Sequence, residues 1–279
     1  TLDLGRGSPT GVTFYQGSQF PEEYRDQFFI CDWSQGRILA VELEPEGASY
    51  RAKATEIVSG QPLNCTDIEA GPDGCIYFTT GGRGTQGGLF RLDVIGEAPA
   101  PKSHDDFLTA ALEIDSPLSS FSQKALHDLK AANADAWGPR LEAAARDASG
   151  RTASHLRTRA LEVMSQVGPA PTESLLVALA ADPDAEVRSR AVSLLGYHHT
   201  DASRKALTAA LRDDDAFVRR HACESLMQQP AETIPVVELL PLLGEPDRFL
   251  RFAARTAIEH AGDPDLRRLI EGIEAPRAR

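Results

Sequence analysis

The hydrophobic positions of this chain change their spacing near residue 100. Before that point, short runs of β-branched and aromatic residues are separated by Gly, Pro, Asn and Asp, and 15 of the 22 glycines fall in this part. This pattern is typical of a turn-rich β-sheet protein. The predicted strands are 12–15, 28–31, 37–43, 52–58, 76–79 and 88–92. From about Pro117 onward, the apolar residues recur with the period of an α-helix.

The helical half repeats itself every 31 or 32 residues. Four arginines mark the repeat, each preceded by an aliphatic residue and followed by one apolar helical face: Arg157, Arg188, Arg219 and Arg251. Acidic turns precede three of them, and the last aspartate of each turn is expected to cap the following helix: Asp184, Asp215 and Asp247. We expect the arginines to pair with the acidic turns of adjacent repeats.

Small residues occupy one position of this face, at Ala191, Ala222 and Ala254, where neighbouring helices are expected to approach closely. A two-helix unit of this length, with an aspartate turn followed by Val-Arg, resembles the HEAT repeat family. The resemblance implies an α-α superhelix, that is, a HEAT-like solenoid.

A second resemblance lies in the β half. Its segments, in order, are SPTGVTFY at 8–15, FP at 20–21, FFI at 28–30, GRI at 36–38, TDI at 66–68, GPDGCIYF at 71–78 and GLFRL at 88–92. Over residues 8–93 their order and spacing are similar to the closing blades of a six-bladed β-propeller of the glucose/sorbosone dehydrogenase type. The resemblance implies a partial propeller of about two blades, whereas a propeller closes with at least four.

Together these observations predict a multidomain β + α chain. Residues 1–95 are the partial β-propeller, 96–116 a linker rich in Pro and Ala, and 117–279 the HEAT-like repeats. A propeller of this type followed by HEAT repeats resembles the large fused membrane-bound dehydrogenases of planctomycete-like (PVC-type) bacteria. That resemblance implies a fragment of a periplasmic or cell-envelope protein, with any c-type haem lying only in parts of the parent outside this chain.

The resemblance does not extend to the residues that bind the family's cofactor. In quinoprotein sugar dehydrogenases a lysine and two arginines hold the carboxylates of PQQ, and the matching positions here are Ser34, Asn64 and Thr66. Each missing charge-assisted hydrogen bond is worth about 1.5–3 kcal/mol. The family's catalytic histidine belongs to an earlier blade. We therefore predict no catalytic residue and no cofactor in this chain, with PQQ disfavoured.

Some polar residues at loop positions of the β half are weak candidates for lining a pocket: Asp32, Trp33, Asn64, Thr66 and Arg83, with Ser34 beside them. Ordinary turns or contacts between blades are the alternative for each. No metal site is predicted, because neither paired CxxC words nor a CxxCH word occurs.

The four cysteines are too scattered to indicate a disulfide framework. Cys65 and Cys75 flank the predicted turn 71–74 and are expected about five residues, or roughly 16 Å, apart along the strands, which is too far to bond. Cys223 is expected to be a buried, inert thiol.

Charge and hydropathy exclude two classes of partner. The formal net charge is −12, and neither half carries the basic surface that nucleic-acid binding requires. No run of about 18 apolar residues is present to span a membrane, and the sequence from Thr1 shows no targeting leader.

The leading hypothesis is a non-catalytic interaction or scaffold module, in which the HEAT surface binds a protein partner. The alternative is the C-terminal fragment of a quinoprotein-like sugar or alcohol dehydrogenase that passes electrons to a haem domain outside this chain.

Overall fold

The computed structural model describes residues 2–96, 104–150 and 152–261, in two compact units. The first comprises residues up to Pro45 together with Tyr50–Asn133. The second comprises Glu46–Ser49 and the residues from Ala134 onward. None of the helices in the described part of the chain has the length and hydrophobicity that a membrane crossing needs.

Two open antiparallel sheets form the β part of the chain. The first has the order β1-β2-β3-β4, with strands at Pro9–Phe14, Phe28–Asp32, Arg37–Glu46 and Ser49–Ser59. The second has the order β5-β6-β7, with strands at Cys65–Ala70, Ile76–Gly82 and Thr85–Leu92. Each of the six predicted strands overlaps one of these. The polar Thr, Asp and Glu of β5 weaken its sequence pattern, so it was not among the predicted runs.

The main core of the first unit lies between the two sheets. Alternate residues of β2 and β3 face alternate residues of β5 and β6, as the two-residue side-chain period of a strand requires. The buried set is Tyr15, Phe29, Cys31, Ile38, Ala40, Cys65, Ile68, Ala70, Ile76 and Phe78.

The two sheets approach each other closely at Gly11 of β1, which lies against β5. Gly11 is buried there, and a Cβ added to it would lie 2.4 Å from the Cα of Asp67. The Thr10 hydroxyl also donates to the carbonyl oxygen of Cys65 at 2.8 Å. Only a residue without a side chain fits position 11, which also coincides with the irregular register between Pro9 and Val12.

No closed propeller is present in residues 2–96, 104–150 and 152–261, which contain seven strands in two open sheets. The predicted order of a β part followed by a helical part is therefore confirmed, whereas the assignment of residues 1–95 to propeller blades stays a prediction. The pairing of Cys65 with Thr80 is as predicted, whereas Ala70 pairs with Ile76 rather than Cys75, because the turn includes Cys75. This leaves Cys65 and Cys75 at different ends of the hairpin.

The interval 96–116, predicted as a linker, contains a short helix, α1, at Phe107–Leu112. The Asp106 side chain accepts a hydrogen bond from the backbone N–H of Thr109 and so caps it. Next comes α2 at Ser120–Ala132. Both helices belong to the first unit, whereas the sequence placed residues from 117 with the repeats. Six residues are too few to show a helical period, which is why α1 escaped the sequence pattern.

The second unit is a series of helix pairs. Its helices are Ala134–Arg146 (α3), Ser154–Val167 (α4), Glu173–Leu179 (α5), Ala185–Leu195 (α6), Asp201–Ala210 (α7), Ala216–Leu226 (α8), Val236–Leu239 (α9) and Arg248–His260 (α10). The second helices of the pairs, α4, α6, α8 and α10, pack against one another in sequence. A further helix predicted at 263–273 lies outside the described residues.

The fourth pair departs from the predicted helix at 236–243. Its first helix, α9, ends at Leu239, and a 3-10 turn covers Leu240–Gly244. Pro241 accounts for the change, because its ring removes a backbone donor and is poorly tolerated inside an α-helix. The small residues at the predicted packing position, Ala191, Ala222 and Ala254, are all fully buried.

Candidate functional site

Three of the four second helices, α6, α8 and α10, begin at aspartate caps. The Asp184 carboxylate accepts hydrogen bonds from the backbone N–H groups of Glu186 at 2.9 Å and Val187 at 3.4 Å. Asp215 and Asp247 make the same pair of bonds at the starts of α8 and α10. A hydrogen bond from the Ser154 hydroxyl, assisted by the backbone donors, lowers the pKa of Asp184. These aspartates are used in fixing helix starts.

We call the four arginines that mark the repeat the arginine ladder. Its first member, Arg157, makes a buried ion pair. The Arg157 guanidinium forms two hydrogen bonds to the Asp182 carboxylate, one of them 3.1 Å between Nη1 and Oδ1, and its Nε donates to the carbonyl of Ala145 at 3.1 Å. Arg157 is 3% exposed and Asp182 8%. The pair therefore links α4 to the turn of the next repeat.

Arg188 repeats the arrangement one unit later. Its Nε and Nη2 both lie 2.8 Å from the Asp213 carboxylate oxygens, and its Nη1 donates to the carbonyls of Asp182 and Pro183. The hydrogen bonds to Asp213 raise the pKa of Arg188. The Arg188 guanidinium thus connects the acidic turn before its own helix to the acidic turn of the next repeat.

The last two arginines make weaker or more local contacts. Arg219 lies 3.8 Å from Glu245 and donates to the carbonyl of Asp213 at 2.7 Å. Arg251 donates to the carbonyls of Glu245 and Pro246. The sequence did not specify which acid of each turn pairs with an arginine; in the structure it is the first one, while the last one caps the helix. The ladder arginines thus make contacts that hold the helical repeats together.

The exposed side of the second helices carries a different set of residues, which we call the second-helix face: Arg159 and Glu162 on α4, Arg190 on α6, His221 and Glu224 on α8, and Phe252 on α10. The first five stand two or five positions after a ladder arginine and therefore share one side of α4, α6 and α8; Phe252 stands one position after Arg251.

Polar contacts cross from one second helix to the next on this face. Glu162 lies 3.1 Å from Arg159 and 3.3 Å from Arg190, so it joins α4 to α6. The Ser189 hydroxyl lies 2.6 Å from Nδ1 of His221, which joins α6 to α8. In the described part of the chain, the buried Nε of Arg190 has no hydrogen-bond partner. The charged side chains of this face are therefore held in place by contacts between neighbouring second helices.

The same unit exposes a few large apolar side chains. Phe252 on α10 is 68% exposed, Val237 on α9 is 75% exposed, and Tyr197 after α6 is 74% exposed. Only Phe252 of these three belongs to the second-helix face. Phe252 is therefore the exposed aromatic side chain of this face.

Three of the candidate pocket residues of the β half come together around Trp33. Its Nε1 donates to the carbonyl of Gly81 at 2.7 Å, and its own carbonyl accepts from Asn64 Nδ2 at 3.1 Å. The Arg83 guanidinium lies over the indole ring, 5.3 Å from its centroid. Arg83 has a positive φ of 49°, which holds the turn between β6 and β7 in an uncommon conformation.

The other two candidate pocket residues, Asp32 and Thr66, form hydrogen bonds away from Trp33. Asp32 is fully buried and accepts from the Ser8 backbone at 2.9 Å and from Arg37 Nε at 3.1 Å. Burial opposes its ionisation, but these hydrogen bonds leave the pKa of Asp32 below its usual value. The Thr66 hydroxyl bonds to that of Thr79 at 2.8 Å. Neither side chain joins the Trp33 cluster.

Two further observations concern possible metal ligands and the Cys223 thiol. Within the described ranges, no group of three or more His, Cys, Asp and Glu side chains is arranged to hold a metal ion. Cys223 is fully buried, and burial raises the pKa of its thiol to about 12.

Comparisons with known proteins concern the helical repeats. A family model described as HEAT repeats matches residues 172–259. A comparison with curated proteins finds no match. Among solved structures, the chain resembles two engineered proteins from the Northeast Structural Genomics Consortium. One is 19% identical and covers 56% of this chain and 78% of its own, with a TM-score of 0.37. The other is 20% identical and covers 57% and 77%, with a TM-score of 0.39.

Proposed function

We propose that this chain is a non-catalytic interaction module that binds a protein partner through the second-helix face. The observation that carries the proposal is the set of polar contacts that joins α4 to α6 and α6 to α8 on this face, together with exposed Phe252 on α10. Solenoids of stacked repeats use extended surfaces of this kind for binding.

The division of polar residues supports this assignment. The ladder arginines and the cap aspartates form hydrogen bonds within and between repeats, so their charges stabilise the stacked helices. The charges of the second-helix face instead lie at the surface, with Arg190 and Glu162 about one-third exposed. Mixed charges of both signs favour a partner with a complementary mixed surface and an apolar pocket for Phe252.

We also propose that PQQ does not bind this chain, which argues against the dehydrogenase alternative. Ser34, Asn64 and Thr66 supply no positive charge, and Asn64 and Thr66 already bond to Trp33 and Thr79. A tri-anionic cofactor needs cationic partners that these positions lack. Calorimetric titration of the chain with PQQ and Ca²⁺ is expected to show no heat of binding, and micromolar affinity would overturn this proposal.

The larger context follows from the two resemblances alone. We propose that the chain is part of a larger cell-envelope protein in which the HEAT-like repeats follow propeller-related sheets. The haem domain and the remaining blades implied by the resemblance would then lie in other parts of that protein.

Photo-crosslinking tests the proposed interface. Benzoylphenylalanine is introduced in place of Phe252 in one variant and in place of Val237 in another, because both side chains are similarly exposed in the same unit. We expect irradiation in the source cells to give a discrete protein adduct from position 252 and none from position 237. The same adduct from both positions, or from 237 alone, would place the interface elsewhere.

A further inference from the structure

The second sheet of the first unit ends at an open strand. In the order β5-β6-β7, β5 lies against β1 of the other sheet, whereas β7 pairs with β6 alone among the described residues. The backbone N–H and C=O groups of alternate residues in such an edge strand point away from the ladder. The outer edge of β7 therefore presents a row of hydrogen-bond donors and acceptors along Thr85–Leu92.

Two large apolar side chains stand next to each other on β7 and remain exposed. Leu89 is 69% exposed and Phe90 is 47% exposed, and as neighbours on a strand they point to opposite faces of the sheet. The Phe90 ring stacks on that of buried Phe78, with 5.3 Å between the ring centroids. The apolar layer over Phe78 thus continues to Phe90 and stops there. A further strand beside β7 would extend this layer.

The outer strand of the first sheet differs from β7 in its charges. β4 exposes Arg51 and Lys53 at alternate positions, and charged side chains of this kind discourage another strand from pairing with an edge. β7 contains no lysine. Its charged residue, Arg91, lies 2.7 Å from Asp93 and 3.7 Å from Asp73. Of these two edges, β7 is therefore the one without charged protection.

We propose that the outer edge of β7 binds an extended segment of another protein, which adds a fourth strand to the sheet β5-β6-β7. Main-chain hydrogen bonds to β7 supply affinity in this mode of binding, and apolar side chains of the segment pack beside Leu89 and Phe90. A basic residue near one end of the segment faces Asp73 and Asp93, which provide two carboxylates for the one guanidinium of Arg91.

A second copy of this chain is a less suitable occupant of the edge. Each copy carries a formal net charge of −12, so two copies repel each other. The edge belongs to the first unit, so this proposal does not depend on the second-helix face of the second unit.

Calorimetric titration of the full chain with a synthetic peptide tests the edge. The peptide alternates valine and threonine, has a lysine at each end and carries blocked termini. Methylating every backbone nitrogen removes the donors of the peptide and keeps its side chains, so we expect the methylated form to bind about tenfold more weakly or worse. Equal affinity of the two forms, or no binding of the unmethylated peptide at millimolar concentration, would overturn the proposal.

The charge of the segment is tested with the same peptide carrying glutamate in place of both lysines. We expect weaker binding, because its carboxylates meet those of Asp73 and Asp93. An affinity equal to that of the lysine peptide would overturn the choice of a basic segment.

Matched variants locate the binding edge. Leu89→Lys adds a charge to β7 and should weaken binding of the unmethylated lysine peptide about tenfold or more. Tyr50→Lys makes the same change on β4, at a side chain that is 46% exposed, and should leave the affinity unchanged. An equal loss in both variants would place the site elsewhere. The comparison of methylated and unmethylated peptides uses the wild type and does not depend on either variant.

Sedimentation velocity of the free chain tests the occupant. We expect a monomer for the wild type and for Leu89→Lys. A wild-type dimer that Leu89→Lys dissociates would assign the edge to a second copy and overturn the proposal.

Discussion

Arg157 and Asp182, 25 residues apart in the sequence, form a buried ion pair that joins one helical repeat to the next. The pair is bidentate, which matches the planar guanidinium to the two carboxylate oxygens. Arg188 and Asp213 make an equivalent but less buried pair one repeat later. The repeats are therefore connected by a periodic polar contact as well as by apolar packing.

Removing one partner of the buried pair should be costly. Asp182→Ala leaves the Arg157 guanidinium buried without its counter-charge, and we expect the free energy of unfolding to fall by about 3–5 kcal/mol. Asp201→Ala breaks the ion pair with Arg204 at a side chain that is 98% exposed, and should change stability by less than about 1 kcal/mol. Chemical denaturation of the two variants measures the difference. Equal midpoints would show that the ladder does not stabilise the stack.

The packing of the second helices can be tested at Ala222. This residue is fully buried, and leucine adds three carbon atoms to a filled core position. We expect Ala222→Leu to destabilise the protein by about 1–3 kcal/mol. Lys205→Ala, a change at an exposed position on α7, should cost less than about 0.5 kcal/mol. If the denaturation midpoints shift equally, the assigned helical phase is wrong.

The repeating half was predictable because its signals are local and recur. Asp184 and Arg188 both lie at the start of α6. Their spacing alone indicates an N-cap followed by a ladder arginine. The partner of Arg188 was harder to specify, since the sequence indicates a cap at Asp215 but does not say which acid of the turn pairs with the arginine; in the structure it is Asp213.

The strands of the β half were predictable from the sequence, whereas the grouping of side chains around Trp33 was not. Trp33 and Arg83 are separated by 50 residues, and their stacking depends on how two sheets meet. Likewise, neither strand's own pattern shows that Cys31 and Cys65 belong to one buried cluster. Asp32 appeared as a pocket residue because a buried aspartate paired with Arg37 has the same sequence signal as a ligand-binding one.

The contact between the sheets makes a prediction at Gly11. Alanine there would place its Cβ against the backbone of Asp67, so the sheets must move apart. We expect Gly11→Ala to destabilise the first unit by about 1–3 kcal/mol. At Gly87 an added Cβ would meet only the Thr80 carbonyl at 3.6 Å, so Gly87→Ala should be tolerated. Thermal unfolding of both variants measures the effect, and a harmless Gly11→Ala would contradict the close approach.

His221 should make stability depend on pH. Burial lowers its pKa, Glu224 opposes that shift, and Arg220 and Arg190 reinforce it. Unfolding returns the pKa to about 6.5, so the unfolded chain binds more protons just below that pH and stability falls as the pH falls through this window. His221→Gln should lose less stability than the wild type between about pH 7.5 and 5.5. Denaturation midpoints at both values provide the comparison, and identical losses would exclude this contribution.

The most direct test of the proposed function is the affinity of the partner protein that position 252 captures. Phe252→Ser and Val237→Ser each remove a similarly exposed apolar side chain from the second unit, but only Phe252 lies on the second-helix face. By calorimetric titration, we expect Phe252→Ser to weaken binding at least tenfold, or by about 1.4 kcal/mol. Val237→Ser should leave the dissociation constant unchanged. Full affinity in Phe252→Ser, or an equal loss in both variants, would contradict binding through the second-helix face.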